Sequence, residues 1–182
     1  MPENRRVRQT KGMLKDAILE LLEERSLERI TVTDICRLAD VNRSTFYAHY
    51  EDVRALLREI EDDMLAQTPA LPYPYANMPD RQGCAALTEF LTYVKNHERL
   101  YRVMLVRRDS GEFFNRAVCK MMEKAEDFGP EPEGLHVRYD CAYRLNGTIG
   151  VMREWIQDGF PLSPEEMARL IWYRRLNAPL GD

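Results

Sequence analysis

Two short apolar-periodic segments separated by a three-residue turn lie within Thr31–Asp52, and they constrain the fold more than any other part of the chain. The first segment carries Ile35, the turn is Asp40-Val41-Asn42, and the second segment is built on Phe46. Such inward positions suit two helices that pack across a tight corner. We therefore predict a helix-turn-helix in which the Asn42 side chain accepts from free N–H groups of the second helix as its N-cap.

The start of the second helix carries side chains suited to contact with nucleic acid. In this motif the second helix presents its first residues to the major groove of DNA. The residues on or near this surface are Arg43, Ser44, Thr45, Tyr47 and His49. Arg43 shares a helix face with Tyr47, and Thr45 shares the adjacent face with His49. We expect Arg43 and Thr45 nearest to base edges, and Tyr47 and His49 against phosphates.

Residues 8–60, and most clearly Ile30–Tyr50, resemble the N-terminal domain of TetR-family transcriptional regulators. The matching pieces are the helix KGMLKDAILELLEE, the segment DICRLADV and the N-R-S-T-F-Y-x-H-Y run that begins at Asn42. The usual turn glycine is Asp40 here, and Asp enters the left-handed backbone region more readily than most residues. The usual lysine after the motif is Val53, so we expect Arg54 to replace its phosphate contact.

The distribution of charge decides whether DNA is a plausible partner for a chain with a net charge of −4. The acidic surplus lies in later segments such as Glu59–Asp63, whereas basic residues precede or open the first helix. These are Arg5, Arg6, Arg8, Lys11 and Lys15. A local basic footprint is sufficient because phosphate contacts are local. We expect Arg5, Arg6, Thr10, Lys11 and Thr33 to join Asn42 in the DNA-binding set. The alternative for the two arginines is a solvated arm.

Composition and spacing argue against several other classes of protein. No apolar run approaches membrane-spanning length, and the basic N-terminus leads into an amphipathic helix, so we expect a cytoplasmic protein. The histidines have no metal-ligand spacing, and the chain lacks a glycine-rich phosphate loop or a recognisable catalytic setting, so we expect no metal, no cofactor and no enzyme. The cysteines are widely spaced, and Cys36 and Cys119 are expected in the core.

Helical periodicity dominates, and we predict an all-α protein of about nine helices. A three-helix helix-turn-helix head is expected at residues 1–52, a connecting helix at 52–67, and a ligand-binding and dimerisation body at 68–182. Prolines between residues 69 and 79, followed by Gly83, predict a loop. In the body we expect helices at about 98–106, 111–128 and 135–157, and a last helix capped by Ser163 and Glu166.

The body resembles the C-terminal domain of a TetR subgroup that includes regulators of dihydroxyacetone utilisation. The matching run starts at Tyr139 and passes through LNGTIGVMREWIQDGF. The family resemblance implies that the body senses a small molecule and forms a homodimer through its last two long helices. Ligand sites in helical bundles lie between facing helices. The candidates are Tyr93, Tyr101, Met104, Phe114, Met121, Met122 and Tyr143. The alternative is ordinary core.

The predicted dimer seam lies on the first of those two helices. Its stripe is Leu145, Ile149, Met152 and Ile156, with Trp155 as an interface aromatic. Gly147 and Gly150 each cost roughly 1 kcal/mol relative to alanine in a helix, which close approach of a neighbouring subunit would explain. The alternative is a kink at Asn146-Gly147.

The leading hypothesis is a homodimeric repressor that binds a palindromic double-stranded DNA operator and responds to an unidentified small molecule. One alternative is an activator of the same fold that needs a protein or ligand co-activator. The other is a small-molecule enzyme.

Overall fold

The computed structural model describes residues 5–69, 79–106, 113, 116–117, 119–120 and 135–176. The chain divides into two compact units, Met1–Gln67 and Thr68–Asp182. Every regular element among the described residues is helical, which confirms the all-α prediction. No helix in the described part of the chain is long and apolar enough to span a membrane.

The described residues of the first unit form four α-helices, and a 3₁₀ turn at Leu27–Arg29 joins the first two. These helices are α1 (Arg5–Glu24), α2 (Val32–Ala39), α3 (Arg43–Tyr47) and α4 (Val53–Gln67). Helix α1 begins earlier than the predicted start near Thr10, and it packs against α2 and α4. The core side chains that are completely buried are Leu14, Ile18, Ile35, Phe46 and Leu56. Because they come from all four helices, the unit has one shared core.

The second unit contains the other described helices. They are α5 (Asp80–Asn96), α6 (Glu98–Tyr101), a π-helical continuation (Arg102–Val106), α7 (Leu135–Gln157) and α8 (Pro164–Leu176). The predicted bounds of α7 are confirmed. Most of the helix predicted at 111–128 lies outside the described residues, although Phe113 and Ala117 are helical and buried.

The turn between α7 and α8 follows local backbone rules. Gly159 and Phe160 have φ of 77° and 61°, so both occupy the left-handed region that ends helices. The Trp155 indole N–H donates to the Leu162 carbonyl at 2.9 Å and ties the end of α7 to the turn. Ser163 N–H donates to the Glu166 carboxylate at 2.8 Å, and Glu166 N–H donates to Ser163 Oγ at 3.2 Å, which confirms the predicted capping box.

Helices α5 and α8 pack closely where a glycine meets a tryptophan. Gly83, which the sequence analysis assigned to a loop, lies in the first turns of α5 and is buried. This assignment was wrong because Pro79 stands at the N-cap of α5, and the helix begins directly after it. A Cβ at Gly83 would overlap the ring of Trp172, and the Trp172 indole N–H is fixed by Asp80 Oδ1 at 3.1 Å. The glycine is therefore required by packing.

Two cysteines differ in their environment. Cys36 is buried as expected, whereas Cys119 is exposed, so its assignment to the core was wrong. Apolar sequence neighbours did not determine which face of its helix the side chain occupies.

We predict that Gly83→Ala lowers the free energy of unfolding by about 1–3 kcal/mol, because the buried indole has no room to move away from the added methyl group. Thermal and denaturant unfolding measure the change. Gly12→Ala is the matched control: it also replaces a helical glycine, its Cβ meets nothing within 4 Å, and it should stabilise by up to about 1 kcal/mol. Equal effects of the two substitutions would contradict the packing argument.

Candidate functional site

Helix α3 begins at Arg43 after an N-cap at Asn42, whose backbone is extended. The Asn42 carbonyl accepts from Thr45 N–H at 3.0 Å and from Phe46 N–H at 3.1 Å. The Asn42 side chain makes no capping hydrogen bond, so this part of the prediction was wrong. The exposed side chain is left facing solvent at the start of α3.

Phe46 anchors α3 in the first unit. Its side chain is completely buried, and its ring meets those of Tyr47 and Tyr50 with centroids 5.6 and 5.8 Å away. A helix of five residues is not stable alone, so its position depends on this packing. With Phe46 inward, the opposite side of α3 points to solvent.

The outward side of α3 carries most of the residues predicted to contact DNA. Arg43, Ser44 and Tyr47 are exposed, whereas Thr45 and His49 are half-buried. The Arg43 guanidinium lies 6.0 Å from the centre of the Tyr47 ring, which is cation–π range. This contact joins the two residues expected on one helix face and restricts the arginine before any ligand is bound.

The turn before α3 is fixed by backbone conformation and by the ends of α2. Asp40 has φ of 52°, which confirms the expected left-handed conformation, and Val41 N–H donates to the Cys36 carbonyl at 3.0 Å. At the start of α2, Thr31 and Asp34 form a capping box. Hydrogen bonds from Thr31 hold the pKa of the Asp34 carboxyl below its usual value.

The remaining predicted DNA contacts lie on the first two turns of α1 and at the starts of α2 and α4. Arg5 and Arg6 are exposed on the first turn of α1, Thr33 is exposed on α2, and Arg54 is exposed on the first turn of α4. Asp52 accepts from Ala55 N–H at 2.7 Å and so caps the start of α4. Thr10 and Lys11 are half-buried.

In the second unit, the apolar part of the predicted dimer seam is buried within its own subunit and was misassigned. Its residues Leu145, Ile149, Met152, Trp155 and Ile156 are each no more than 2% exposed. They face the core of their own subunit, where α7 packs against the π-helical segment. The apolar stripe was real, but its partner is the same chain. Helix α7 also continues without a break through Gly147 and Gly150, both of which are exposed.

A different face of α7 is exposed and aromatic. Tyr139 and Tyr143 are 66% and 79% exposed, and Gly150 lies on the same side of the helix. On α8, Leu170 and Tyr173 are also exposed. We call these five residues the tyrosine face. In the described part of the second unit, all the exposed large apolar side chains belong to it.

The predicted ligand pocket is only partly within the described residues. Tyr101 and Met104 are buried, and Tyr101 shares a 2.7 Å hydroxyl hydrogen bond with Thr68. Burial raises the pKa of Tyr101 far above its usual value. Half-buried Tyr93 stacks on His97 with ring centroids 4.0 Å apart. Tyr143 does not line a core cavity, because its face of α7 points to solvent, and its assignment to the pocket was wrong.

Phe114, Met121 and Met122 lie outside the described residues. Within the described part of the chain, no group of His, Cys, Asp and Glu side chains is arranged to hold a metal ion.

Two family models match this chain. One, described as "Bacterial regulatory proteins, tetR family", matches residues 14–60, and the other, "Transcriptional regulator C-terminal region", matches residues 85–172. The chain belongs to the TetR family of regulators. The first match contains the helix-turn-helix, and the second contains most of α5, α7 and α8.

Individual relatives are distant. The chain is 24% identical to the uncharacterized HTH-type transcriptional regulator YxbF of Bacillus subtilis strain 168, over 94% of this chain and 45% of that protein, so it spans about half the length of this relative. A TetR regulator from Streptococcus agalactiae 2603V matches at 22% identity and a TM-score of 0.69, covering 94% of this chain and 96% of that one. The dihydroxyacetone kinase operon activator DhaS matches at 21% identity and a TM-score of 0.57, covering 92% and 94%. These structures share the fold.

The TetR-type head of this chain contains an ion-pair network that the sequence analysis missed. We call it the Glu59 cluster: Lys11, Lys15, Tyr50, Glu59 and Asp63. Glu59 lies 3.1 Å from the Lys11 ammonium and 2.7 Å from that of Lys15, and it accepts from the Tyr50 hydroxyl at 3.2 Å. Lys15 also pairs with Asp63. The cluster joins α1, the segment after α3, and α4.

The spacing of these residues was a usable signal. Lys11 and Lys15 are four residues apart on α1, as are Glu59 and Asp63 on α4, so each pair lies on one helix face. Opposite charges repeated at the same spacing on two helices of one small unit indicate facing surfaces. As a consequence, Lys11 is an ion-pair partner inside the head as well as a candidate phosphate contact.

The Glu59 carboxyl is the centre of this network electrostatically. Partial burial acts to raise its pKa, but hydrogen bonds and charges from Lys15 and Lys11 outweigh burial and bring the pKa below the usual 4.5. For Lys15, burial acts to lower the pKa, and Asp63 and Glu59 raise it above 10.5. A carboxyl with a lowered pKa stabilises the folded state above its unfolded pKa, and this contribution is lost as pH falls through the folded value.

We predict that Glu59→Gln lowers the free energy of unfolding by about 0.5–1 kcal/mol at neutral pH, because the side chain keeps its shape and loses its charge. The difference from wild type should hold above pH 4.5 and shrink below it, as the wild-type carboxylate becomes protonated. Denaturant titrations between acidic and neutral pH measure this difference. Exposed Glu24→Gln on α1 serves as control and should change stability by less than about 0.5 kcal/mol. A difference that is independent of pH would contradict the assignment.

Proposed function

We propose that this protein is a homodimeric, sequence-specific DNA-binding repressor whose affinity for a near-palindromic operator changes with a small-molecule effector. The observation that carries the proposal is the outward face of α3, on which Arg43 and Tyr47 are exposed and in contact while Phe46 fixes the helix from behind. A helix held in this way can enter the major groove without rearrangement.

The proposed roles follow from exposure and chemistry. Arg43 can donate two hydrogen bonds to a guanine edge, and Thr45 is the second proposed base contact. Tyr47 and His49 suit phosphate oxygens on either side of the groove. The other proposed phosphate contacts are on the first two turns of α1, at the starts of α2, α3 and α4, or at the N-cap of α3: Arg5, Arg6, Thr10, Lys11, Thr33, Asn42, Ser44 and Arg54. Phosphate contacts set position and affinity, whereas base contacts set specificity.

We predict that Arg43→Ala weakens binding to the preferred site by about 1–3 kcal/mol and relaxes the preference at one base pair. Arg54→Ala is the matched control, because it also removes an exposed arginine, but from a proposed phosphate contact. It should weaken binding to preferred and scrambled duplexes alike. Fluorescence anisotropy with both duplexes gives the ratio of affinities. An unchanged ratio for Arg43→Ala would remove this residue from the base-reading role.

For the homodimer we propose the tyrosine face as the surface that a second copy covers. Gly150 supports this choice, because a Cβ there would meet nothing within 4 Å of its own chain. A helical glycine costs roughly 1 kcal/mol relative to alanine, and packing within the subunit gives no reason for it. Close approach of another helix does give a reason, and the exposed tyrosines beside it are residues enriched at interfaces.

We predict that Gly150→Leu produces monomers or a weakened dimer, because the larger side chain keeps the two α7 helices apart. Operator affinity should then fall much more than nonspecific affinity, since one head reads only half of the site. Sedimentation velocity measures the proportions of monomer and dimer. Gly12→Leu is the control for sedimentation, because it places the same side chain in open space on α1. A dimer as tight as wild type, with unchanged helical content, would exclude this seam.

A second candidate function is activation of transcription. The fold likeness to DhaS, a protein named as an operon activator, motivates it. Transcription in vitro from a template carrying the selected operator separates the two. Added protein lowers transcript yield if it is a repressor and raises it if it is an activator.

A further inference from the structure

Lys11 is a proposed DNA contact that is already paired with an acidic side chain of the head. Its ammonium is held by the Glu59 carboxylate at 3.1 Å and lies 5.6 Å above the ring of Tyr50, three residues beyond α3. We propose that Lys11 is paired with Glu59 in the free protein, and that its ammonium exchanges this carboxylate for a DNA phosphate when the head binds DNA. The inference rests on the proposed DNA-binding function.

The exchange is feasible because Glu59 has other partners. When Lys11 leaves, Lys15 stays at 2.7 Å and the Tyr50 hydroxyl at 3.2 Å, so the carboxylate keeps a cation and a donor. Both side chains of the Lys11–Glu59 pair are also partly exposed, at 25% and 31%. Ion pairs that water can reach contribute little to stability, so the pair separates at low cost.

Lys11 is a better candidate for this exchange than Lys15. Lys15 is held by Glu59 and Asp63 together, and removing it would leave two carboxylates facing each other. Lys11 lies one helical turn closer to the N-terminal end of α1, where Arg5, Arg6 and Arg8 are exposed. It therefore stands between the basic end of α1 and the segment that follows α3.

Glu59 then acts as a positioning residue that lowers affinity for all DNA. Every duplex must displace the same carboxylate from Lys11, so the cost is independent of base sequence. Since nonspecific binding consists almost entirely of phosphate contacts, this internal competitor reduces retention on unrelated DNA.

A double-mutant cycle with Glu59→Gln, Lys11→Met and the double variant tests the exchange by measuring binding to selected and scrambled duplexes. Glu59→Gln should tighten binding to both duplexes by about two- to fivefold, and this gain should vanish in the Lys11→Met background. Lys11→Met alone should reduce the salt slope by about 0.9, the value for one lost phosphate contact. A purely structural role of Lys11 would leave that slope unchanged.

Asp63→Asn is the matched control, because it removes one negative charge from the same helix and the same cluster without touching Lys11. It should leave DNA affinity near that of wild type. An equal gain from Asp63→Asn, or a gain from Glu59→Gln that persists without Lys11, would show a general charge effect and overturn the exchange. A loss of affinity in Glu59→Gln would overturn it as well.

A measurement on the wild-type protein follows Lys11 directly and needs only one variant, for assignment. NMR of lysine ammonium nitrogens, with the Lys11 signal assigned from Lys11→Met, should show that signal shifting as DNA is added while that of Lys15 stays in place. An unmoved Lys11 signal overturns the exchange. Absence of binding to any duplex at low salt would overturn the proposed function together with this inference, whereas binding without coupling overturns this inference alone.

Discussion

Burial of Phe46 is the constraint on which the DNA-facing surface depends. Helix α3 has five residues and cannot persist by its own hydrogen bonds, so its position is the position of that ring in the core. The left-handed Asp40 sets the corner before it, and Tyr50 continues the aromatic contact after it. Arg43 and Tyr47 point outward as a consequence. A change in how Phe46 packs would displace every proposed base contact at once.

Much of the structure could be predicted from local sequence rules, which involve residues only a few positions apart. The capping boxes, the end of α7 and the inward position of Phe46 need only near neighbours in sequence. The apolar stripe of the dimer seam was misassigned for a physical reason: an apolar stripe indicates that a helix face is buried, but not against which chain. Helix α7 has both a core face and the exposed tyrosine face, and the more apolar one packs internally.

Gly83 was assigned to a loop because the residue that requires a glycine at this position, Trp172, is far away in sequence. The Glu59 cluster joins residues 48 apart, so its signal is the matching four-residue spacing of opposite charges on two helices and not a rule within one helix.

The basic residues of the head fall into two groups, lysines that pair with acids of α4 and arginines that are mostly exposed. The acids of α4 that face α1 pair with Lys11 and Lys15. The arginines at Arg5, Arg43 and Arg54 are instead exposed. A chain with a net charge of −4 thus presents positive groups at helix starts, where phosphate contacts are proposed. Net charge alone would have argued against DNA. DNA binding is supported because the exposed basic residues of the head are arginines, whereas Lys11 and Lys15 are paired with acids.

Selection of bound duplexes from a random-sequence library tests the central claim most directly, because it assumes neither the operator nor the effector. Two α3 helices on a symmetric dimer should enrich an inverted repeat, with half-site centres about 34–36 Å apart or a multiple of that distance. Bases facing Arg43 should be the most strongly selected. Recovery of sequences without a repeat, or equal affinity for an isolated half-site and the full site, would contradict the account of a dimer that reads DNA through α3.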